Sequence, residues 1–410
     1  MAILIFLKTI ADMFYAISYL DYALMAAATV FFLFGVRKLK KLYMVDYFAF
    51  AFMALLCLTM IRTGTGINQF IKMLSGFMLY FIGRAYYKEI RRVEKSLIMA
   101  NYIVVATNLA MFVMGAGFVV WGSASTFRGM YYYKTDFSIA MIYAISAFAF
   151  LQNPPRSILC IEWAVIAYLI LRSNTRAALL ILILVFGLWF LYQYEKNNHK
   201  PLKINLKYAV LIVISLVAAL FIVVRVLSLS VFDDYHFISF NFSTISDLLN
   251  TSNTQGRNVI WNNLLRNFRE ASWIQKLIGI DFVSDYWNGL DAHNAYLKIL
   301  FSTGILGLLI FFGFVGTYIR RLNKLKDRSL FYFNLSILLT FMLQSISQSS
   351  IAYTQMTWVF LCFSGMAVTE SYNKTGEEYH FNKEKKLNIR IRRRKESTKA
   401  ISSSGNYMRV

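Results

Sequence analysis

The sequence predicts an all-α polytopic membrane protein with about eleven transmembrane helices and one large extracytoplasmic loop that contains short helices. The first reason is composition: 58% of the 410 residues are hydrophobic and only 16% are charged, whereas soluble chains average about 45–50% and about 25%. A soluble fold of this length has too little interior to bury so much apolar surface, so lipid must serve as solvent. The second reason is that only 20 glycines, 3 prolines and 3 cysteines occur, which excludes collagen-like and disulfide-rich chains.

Apolar runs long enough for a spanning helix, about 17–25 residues each, follow one another along the chain. They lie at 18–36, 45–61, 68–83, 96–121, 136–152, 157–173, 177–194, 208–229, 294–319, 329–347 and 352–369. Residues 1–17 are apolar but include Lys8 and Asp12, so they are predicted to form either a short twelfth span or a helix in the membrane interface. The predicted organisation is transmembrane helices over 1–229, the large loop over 230–293, further transmembrane helices over 294–369 and a basic tail over 370–410.

The net charge of +22 is distributed in a way that predicts the orientation. Of the 43 lysines and arginines, 30 lie in alternate inter-helix segments. These positions are 37–41, 84–95, Arg156, 196–207, 320–328 and 374–409. If eleven helices alternate in direction, all of these segments share one side, which the positive-inside rule assigns to the cytoplasm. The pattern argues against a nucleic-acid partner, and it leaves two interpretations of the tail, an anchor on anionic lipid or a solvated charge run.

The opposite, extracytoplasmic face carries several cations, which is unusual for that side of a membrane. The residues predicted there are Arg62, Arg128, Lys134, Arg172, Arg176, Arg225 and Arg257. Guanidinium groups bind phosphate and pyrophosphate oxygens in a bidentate manner, so the set predicts a ligand with such a group. The alternative for each residue is a side chain that reaches toward lipid headgroups. The sequence has no common metal-binding or nucleotide-binding motif, and we predict neither a metal nor a cofactor.

A histidine lies at the end of the large loop, immediately before the predicted ninth span. The segment reads Asp291-Ala292-His293-Asn294-Ala295-Tyr296. An imidazole titrates near neutral pH and can act as a general base, and capping of the following helix is the alternative role for this pair. Glu162 lies inside the predicted sixth span, where an ionisable group indicates a functional site unless it pairs with a buried arginine.

The histidine segment resembles a motif of the bacterial superfamily of O-antigen ligases and Wzy-type polysaccharide polymerases. His293-Asn294 is followed after nine residues by Gly304 and after two more by Gly307. This spacing is similar to the family pattern H-[NSQ]-x9-G-x2-[GTY], with every fixed position present. The motif also lies at the expected junction between the large loop and a spanning helix.

Two further segments add to the resemblance. Gly256-Arg257 with Trp261 is similar to the GR…W that opens the second half of the family's large loop. Arg176 with Gly187 resembles the R-x10-G element of the polymerases. No second R-x10-G begins at Arg257 or at the arginines that follow it, and the segment between Arg257 and the histidine is short for a lipopolysaccharide ligase.

The resemblance implies a membrane glycosyltransferase that uses undecaprenyl-diphosphate-linked oligosaccharide as donor and acceptor at the extracytoplasmic face of the bacterial cytoplasmic membrane. It implies Arg176 and Arg257 as catalytic residues that hold the diphosphate, and His293 as the catalytic base. The predicted substrate-binding residues are Arg225, Arg172, Arg128, Lys134, Asp136, Asn294, Trp261 and Tyr296. Membrane lipid is a further expected partner, and a chain-length regulator is a candidate partner.

Three roles are open at this point. A polymerase joins lipid-linked repeat units to each other, whereas a ligase moves the finished glycan to lipid A core or to protein. The polymerase is favoured because the Arg176–Gly187 element is present and the loop is compact. A flippase should carry polar residues through its helix centres, often in two related halves, but here the ionisable groups concentrate at the outer helix ends and no repeat is found.

Overall fold

The computed structural model describes residues 1–14, 17–39, 41–121, 124–198, 257–287 and 290–372. The helices up to residue 198 are α1 (Ala2–Ala11), α2 (Ser18–Val36), α3 (Met44–Thr63), α4 (Ile67–Ala85), α5 (Ile90–Val113), α6 (Lys134–Ser146), α7 (Arg156–Ser173) and α8 (Arg176–Asn198). α6 continues as a π-helix over Ala147–Gln152. An antiparallel hairpin of β1 (Phe118–Trp121) and β2 (Ala124–Phe127) joins α5 to α6.

The described helices beyond residue 256 are α9 (Arg257–Glu270), α10 (Trp273–Ile278), α11 (Ala295–Leu322), α12 (Arg328–Gln344) and α13, which covers 354–372. Strands β3 (Tyr286–Trp287) and β4 (Leu290–Asp291) form a second antiparallel pair before α11. A 3-10 turn at Ser350–Ala352 lies between α12 and α13. The predicted span 208–229, Arg225, the first part of the predicted loop and the tail from residue 373 lie outside the described residues.

Six helices in the described part of the chain are long and apolar enough to cross a membrane. They comprise Tyr19–Val36, Met44–Thr63, Tyr87–Val113, Lys134–Gln152, Ala177–Asn198 and Ala295–Leu322. The architecture is therefore that of a mostly helical, multi-pass membrane protein. α4, α7, α12 and α13 stay predicted spans; polar groups such as Lys72 in α4 and Glu162 in α7 lower their apolar character.

Ion pairs at one end of the bundle support the predicted alternation of helix direction. Arg84, near the end of α4, pairs with Asp46 in the first turn of α3 and donates to Thr369 Oγ1 near the end of α13 at 3.0 Å. Arg328, the first residue of α12, forms a bidentate pair with Glu195 near the end of α8 at 2.7 and 2.8 Å. Each of the two ion pairs joins the start of one helix to the end of another. Both pairs lie at the basic segments predicted to be cytoplasmic.

The structure corrects two of the predicted segments. The predicted span 96–121 is too long, because α5 ends at Val113 and the positive φ angles of Gly115 and Gly117 turn the chain into the β1–β2 hairpin. The fold is mostly helical, as predicted, with this short hairpin between two helices. The short twelfth span is also excluded, because the 10 residues of α1 cover about 15 Å of a hydrocarbon core about 30 Å thick.

α11 is broken at Gly304, where φ is 69° and ψ is −170°. The break lets the end of α10 approach α11 directly: a Cβ on Gly304 would lie 2.3 Å from the carbonyl oxygen of Leu277. Gly279, with φ of 103°, faces the other side of the contact, where its Cβ would lie 2.6 Å from the Ser302 carbonyl. The first glycine of the family motif thus permits a backbone-to-backbone contact that no side chain would allow.

Backbone groups around the contact between α10 and α11 are hydrogen-bonded by neighbouring elements. The Ile280 N–H donates to the Phe301 carbonyl oxygen at 2.6 Å. Arg62, at the end of α3, donates to the carbonyl oxygens of Gly279 and Ile280, the second at 2.8 Å. One of the cations predicted on the outer face therefore binds backbone carbonyls and helps to hold the loop helix α10 against α3 and α11.

We expect Gly304→Ala to reduce the amount of folded protein strongly. The added methyl group would collide with the Leu277 carbonyl, and the residue's φ/ψ combination is almost restricted to glycine, at a cost of about 1–3 kcal/mol from the backbone alone. Gly316→Ala is the matched control on the same helix, because a Cβ at Gly316 would have nothing within 4 Å. Membrane-fraction yield and the thermal midpoint in detergent should fall for Gly304→Ala only; equal values for both variants would contradict the close contact.

Candidate active site

His293, between β4 and α11, has a strained backbone conformation. Its φ is 46°, a left-handed conformation that is uncommon for residues other than glycine and is often found at functional sites. Asn294 follows as the N-cap of α11, and its Oδ1 accepts hydrogen bonds from the backbone N–H groups of Tyr296 at 2.9 Å and Leu297 at 3.0 Å. Of the two predicted roles, helix capping is therefore performed by Asn294, and the role of His293 as a general base stays a prediction.

The start of α11 is anchored to the end of α12. The Asn294 amide Nδ2 donates to the Ile346 carbonyl at 3.2 Å, and the Ala295 N–H donates to the Ser345 carbonyl at 2.8 Å. The Tyr296 hydroxyl donates to a carbonyl of α12, Met342, at 2.8 Å. Asn294 and Tyr296, both predicted to bind substrate, therefore use their polar atoms to fix the position of the histidine.

Arg257 begins α9, which packs beside the same junction. Ile260, Leu264 and Phe268, spaced four residues apart, form one buried stripe of α9 and pack against Ala292 and Phe301. This stripe is the apolar face that an amphipathic helix needs. Because Ala292 immediately precedes the histidine, packing of α9 brings its first residue, Arg257, near enough to His293 for its charge to act on the imidazole.

Trp261 links the two family motifs by a direct hydrogen bond. Its indole Nε1 donates to the carbonyl oxygen of Ala292 at 2.7 Å. The ring is half-buried, so the contact is partly shielded from solvent. Trp261, predicted as a surface for sugar, therefore also positions the backbone that carries His293.

We expect Trp261→Phe to lower the rate of the glycosyl transfer that the resemblance implies, while the protein still folds. The variant keeps an aromatic ring but loses one hydrogen bond worth about 0.5–1.5 kcal/mol, which corresponds to roughly a two- to tenfold lower rate if the bond is needed in the transition state. Initial rates at matched protein amounts measure the effect. A parental rate would show that the bond to Ala292 does not position the site.

Asp291 is the residue of this site that sequence analysis missed. Its Oδ1 accepts a hydrogen bond from the His293 backbone N–H at 3.0 Å and another from the Ser349 hydroxyl at 3.0 Å. Asp291 belongs to the segment 291–296 that was singled out in the sequence. Nothing in the neighbouring residues indicated that its carboxylate would lie near both the histidine and the guanidinium of Arg257. Only the pairing of β3 with β4, which places Asp291 opposite Tyr286, fixes its direction.

The charges of this cluster act on the imidazole. Burial lowers the pKa of His293 from its ordinary value of 6.5; the carboxylate of Asp291 opposes this shift, and the positive charge of Arg257 adds to it. Burial also lowers the pKa of Arg257, and Asp291 opposes that shift as well, but a guanidinium stays protonated at physiological pH. The arrangement therefore places a neutral imidazole next to a permanent cation.

Two other predicted site residues, Arg176 and Lys134, are the first residues of their helices. Arg176 is the first residue of α8, and its side chain lies outside what the structure describes. Lys134 begins α6, and its Nζ lies 3.4 Å from the carbonyl oxygen of Asn174 in the turn just before Arg176. The start of α6 and the start of α8 are thus neighbours. Arg225 lies outside the described residues.

Arg128 and Arg172 take part in other contacts. The Arg128 guanidinium donates to the Tyr132 carbonyl at 2.8 Å, within the segment that links β2 to α6. The Arg172 guanidinium lies 5.9 Å from the ring centre of Phe112 and 5.8 Å from that of Phe118. These contacts place Arg172 against the end of α5 and the start of the hairpin.

Asp136 connects α6 with the segment between α12 and α13. Gln348 Nε2 donates to Asp136 Oδ1 at 2.8 Å, and Gln355 Nε2 lies 3.4 Å from Asp136 Oδ2. The residue after Gln348 is Ser349, whose hydroxyl binds Asp291. Asp136 is therefore joined to the histidine site through one short segment.

The hydrogen-bond partner of Glu162 is a tyrosine and not a buried arginine, which was the alternative considered from the sequence. Its Oε1 accepts a hydrogen bond from the Tyr102 hydroxyl at 2.7 Å, and the same hydroxyl contacts Gln152 Oε1 at 2.8 Å. Gln152 ends the π-helical segment of α6. The carboxyl group is thus bound to the Tyr102 hydroxyl of α5, which also contacts the end of the π-helical segment.

Comparison with known proteins bears on the predicted family resemblance. No curated protein matches the chain. Residues 163–312 match the protein family described as O-antigen ligase, and this segment contains Arg176, Arg257, His293 and the glycine that breaks α11. The match supports the predicted resemblance of this segment to the superfamily of O-antigen ligases and Wzy-type polysaccharide polymerases.

Proposed function

We propose that the protein is a polysaccharide polymerase that joins undecaprenyl-diphosphate-linked repeat units on the extracytoplasmic face of the bacterial cytoplasmic membrane. The observation that carries the proposal is the meeting of Arg257, Asp291 and His293 at one end of the helix bundle, within the segment that matches the family. A permanent cation beside a neutral imidazole provides what glycosyl transfer from a lipid diphosphate needs.

The leaving group is stabilised by guanidinium groups. As the bond between the anomeric carbon and the phosphate oxygen breaks, its electron pair moves to the diphosphate, which gains negative charge. Arg257, together with Arg176 and Arg225, holds this diphosphate, because planar guanidinium groups bind phosphate oxygens in pairs. Stabilisation that is strongest when the charge has developed lowers the barrier to transfer.

The acceptor is activated by the imidazole. A hydroxyl group of the acceptor sugar forms the new bond to the anomeric carbon, and its proton passes to the neutral ring of His293. Because burial and Arg257 keep the pKa of His293 low, the ring is an available base at neutral pH. Attack opposite to the leaving diphosphate gives inversion at the anomeric carbon.

The apolar helices bring the lipid-linked substrate to this site. A polyprenyl chain that stays in the bilayer avoids transfer to water, which would cost about 0.8 kcal/mol for each CH₂ group. The described helices at the site, such as α6 and α11, satisfy the length and hydropathy needed to cross a membrane. The diphosphate can then reach the ends of these helices while its tail remains in lipid.

Ligation is the second candidate, because the matched family is described as O-antigen ligase. The R-x10-G element at Arg176–Gly187 and the short segment between α9 and α11 favour the polymerase. Glycan analysis of a deletion strain distinguishes the two. Single repeat units left on the carrier lipid support polymerisation, whereas full-length chains left on the carrier support ligation.

A further inference from the structure

A cavity of about 340 Å³ opens between α1, α2, α4 and the turn that leads into α13. Besides tyrosines, its polar side chains are those of Asp12, Asp21, Lys72, Thr354 and Gln355. Three phenol rings complete the wall, from Tyr22, Tyr132 and Tyr353. The volume lies within the range of about 300–1,000 Å³ that small-molecule sites occupy, and all of these residues lie outside the segment 163–312 that matches the family.

The two carboxylates are held in place by one buried amino group. Lys8, 2% exposed, contacts Asp12 and also Asp21, the second at 2.7 Å. The side chain of Asp21 is 37% exposed, so it has oxygen lone pairs left for a ligand. The two lysines, Lys8 and Lys72, offset the charges of the two carboxylates, Asp12 and Asp21. The cavity thus presents fixed hydrogen-bond acceptors without an excess of positive charge.

Gln355 contributes a further acceptor. Its Nε2 points to Asp136 at 3.4 Å, while its Oε1 is buried and has no hydrogen-bond partner among the described residues. Buried polar atoms normally have a partner, so this oxygen is available to a donor that enters from the cavity. Hydroxyl groups are suitable donors.

The cavity adjoins the reaction centre through its tyrosines. The ring of Tyr132 contacts that of Tyr133 edge to face, with 4.5 Å between ring centres. Burial raises the pKa of Tyr133, and the charge of Asp291 contributes to the shift. The charge of Asp291 also acts on the phenol of Tyr353. A short turn joins Asp291 to the Tyr353 wall: the Ser349 hydroxyl donates to Asp291 Oδ1 at 3.0 Å, and the Tyr353 N–H donates to the carbonyl oxygen of the next residue, Ser350, at 3.1 Å.

We propose that this cavity binds the acceptor saccharide, an inference that rests on the proposed function and identifies where the attacking sugar lies. Carboxylate and amide oxygens accept hydrogen bonds from sugar hydroxyls, and flat tyrosine rings cover the apolar face of a sugar. An anionic diphosphate would gain nothing from a cavity with balanced charge, whereas Arg257 provides the cation it needs. The donor diphosphate and the acceptor ring thus bind at separate places beside one reaction centre.

The test uses the full-length protein in lipid nanodiscs with a His293→Ala background, so that no turnover occurs. The probe is the oligosaccharide of one repeat unit, released from its carrier lipid by mild acid, and binding is followed by thermophoresis. We expect Asp21→Asn and Tyr22→Ala each to weaken binding at least tenfold. Tyr19→Ala is the matched control on α2, because Tyr19 is 83% exposed and does not line the cavity; its Kd should stay within twofold of the parent.

Two comparisons separate this inference from the proposed function. Arg257→Ala should leave the Kd of the free oligosaccharide within twofold, since the probe has no diphosphate; loss of binding in that variant would overturn a separate acceptor cavity. Unchanged binding in Asp21→Asn and Tyr22→Ala would also overturn it. If the cavity variants lose binding but His293→Ala cells still make chains of parental length, the saccharide site stands and the proposed catalytic function fails.

Discussion

Replacing Arg257 with alanine should abolish chain growth while the protein remains in the membrane. The guanidinium lies half-buried beside Asp291 at the start of α9, where no other described side chain with a permanent positive charge acts on His293. Loss of one group that stabilises developing negative charge typically lowers kcat by about 10²–10³. Arg257→Lys should retain the charge but lose bidentate binding, and we expect a loss of about tenfold or more.

Arg266→Ala provides the matched control for Arg257. Arg266 lies on the same helix, is exposed, and contacts the side chain of Asn263 at 3.2 Å. Glycan length and transfer rate in this variant should match the parent at equal protein amounts. Chains of normal length in Arg257→Ala, or an equal loss in both variants, would contradict a specific contact between Arg257 and the diphosphate. Arg176→Ala should behave as Arg257→Ala does.

Replacing His293 with alanine should lower the transfer rate by about 10²–10⁴, the usual contribution of a general base. The parent's kcat/KM should fall as the pH drops through the pKa of the histidine, because protonation removes the base. Burial and Arg257 place this pKa below the ordinary 6.5, so the acidic limb should lie below pH 6.5 and the rate should be constant near neutral pH. The residual activity of His293→Ala should lack that limb.

Asp291→Asn tests the same assignment by a shift in pH dependence. The amide oxygen of asparagine can still accept the hydrogen bonds from the His293 N–H and from Ser349. Only the negative charge is lost, and that charge raises the pKa of His293. The acidic limb should therefore move to lower pH in Asp291→Asn; a limb at the parental pH would show that another group titrates.

Much of this site was predictable, because its motifs are local in sequence. The spacing from His293 to Gly304 predicted a family and a helix start, and the structure shows that Asn294 caps that helix and that Gly304 breaks it. The length of α5 was not predictable from apolar residues alone, because 114–121 is apolar in either a helix or a hairpin. The positive φ angles of Gly115 and Gly117 end the helix and turn the chain into the hairpin.

Contacts between distant segments were beyond prediction. Trp261 was predicted to bind substrate, which stays a prediction; the contact of its indole N–H with the backbone next to His293 was not foreseen. Arg62 was expected among the cations for a ligand, but it binds the carbonyls after α10. In both cases the residue type indicated a polar or aromatic contact, and only the packing of another helix determined the partner.

The amino-acid sequence alone predicted a multi-pass membrane protein and a resemblance to one superfamily, because apolar content and motif spacing are properties of the linear chain. Only the tertiary structure decided that Asp291 joins Arg257 and His293, and that α1, α2 and α4 form a neighbouring cavity. The physical reason is that hydrogen bonds and Coulomb interactions act over a few ångströms. Residues far apart in sequence acquire such partners only when helices pack.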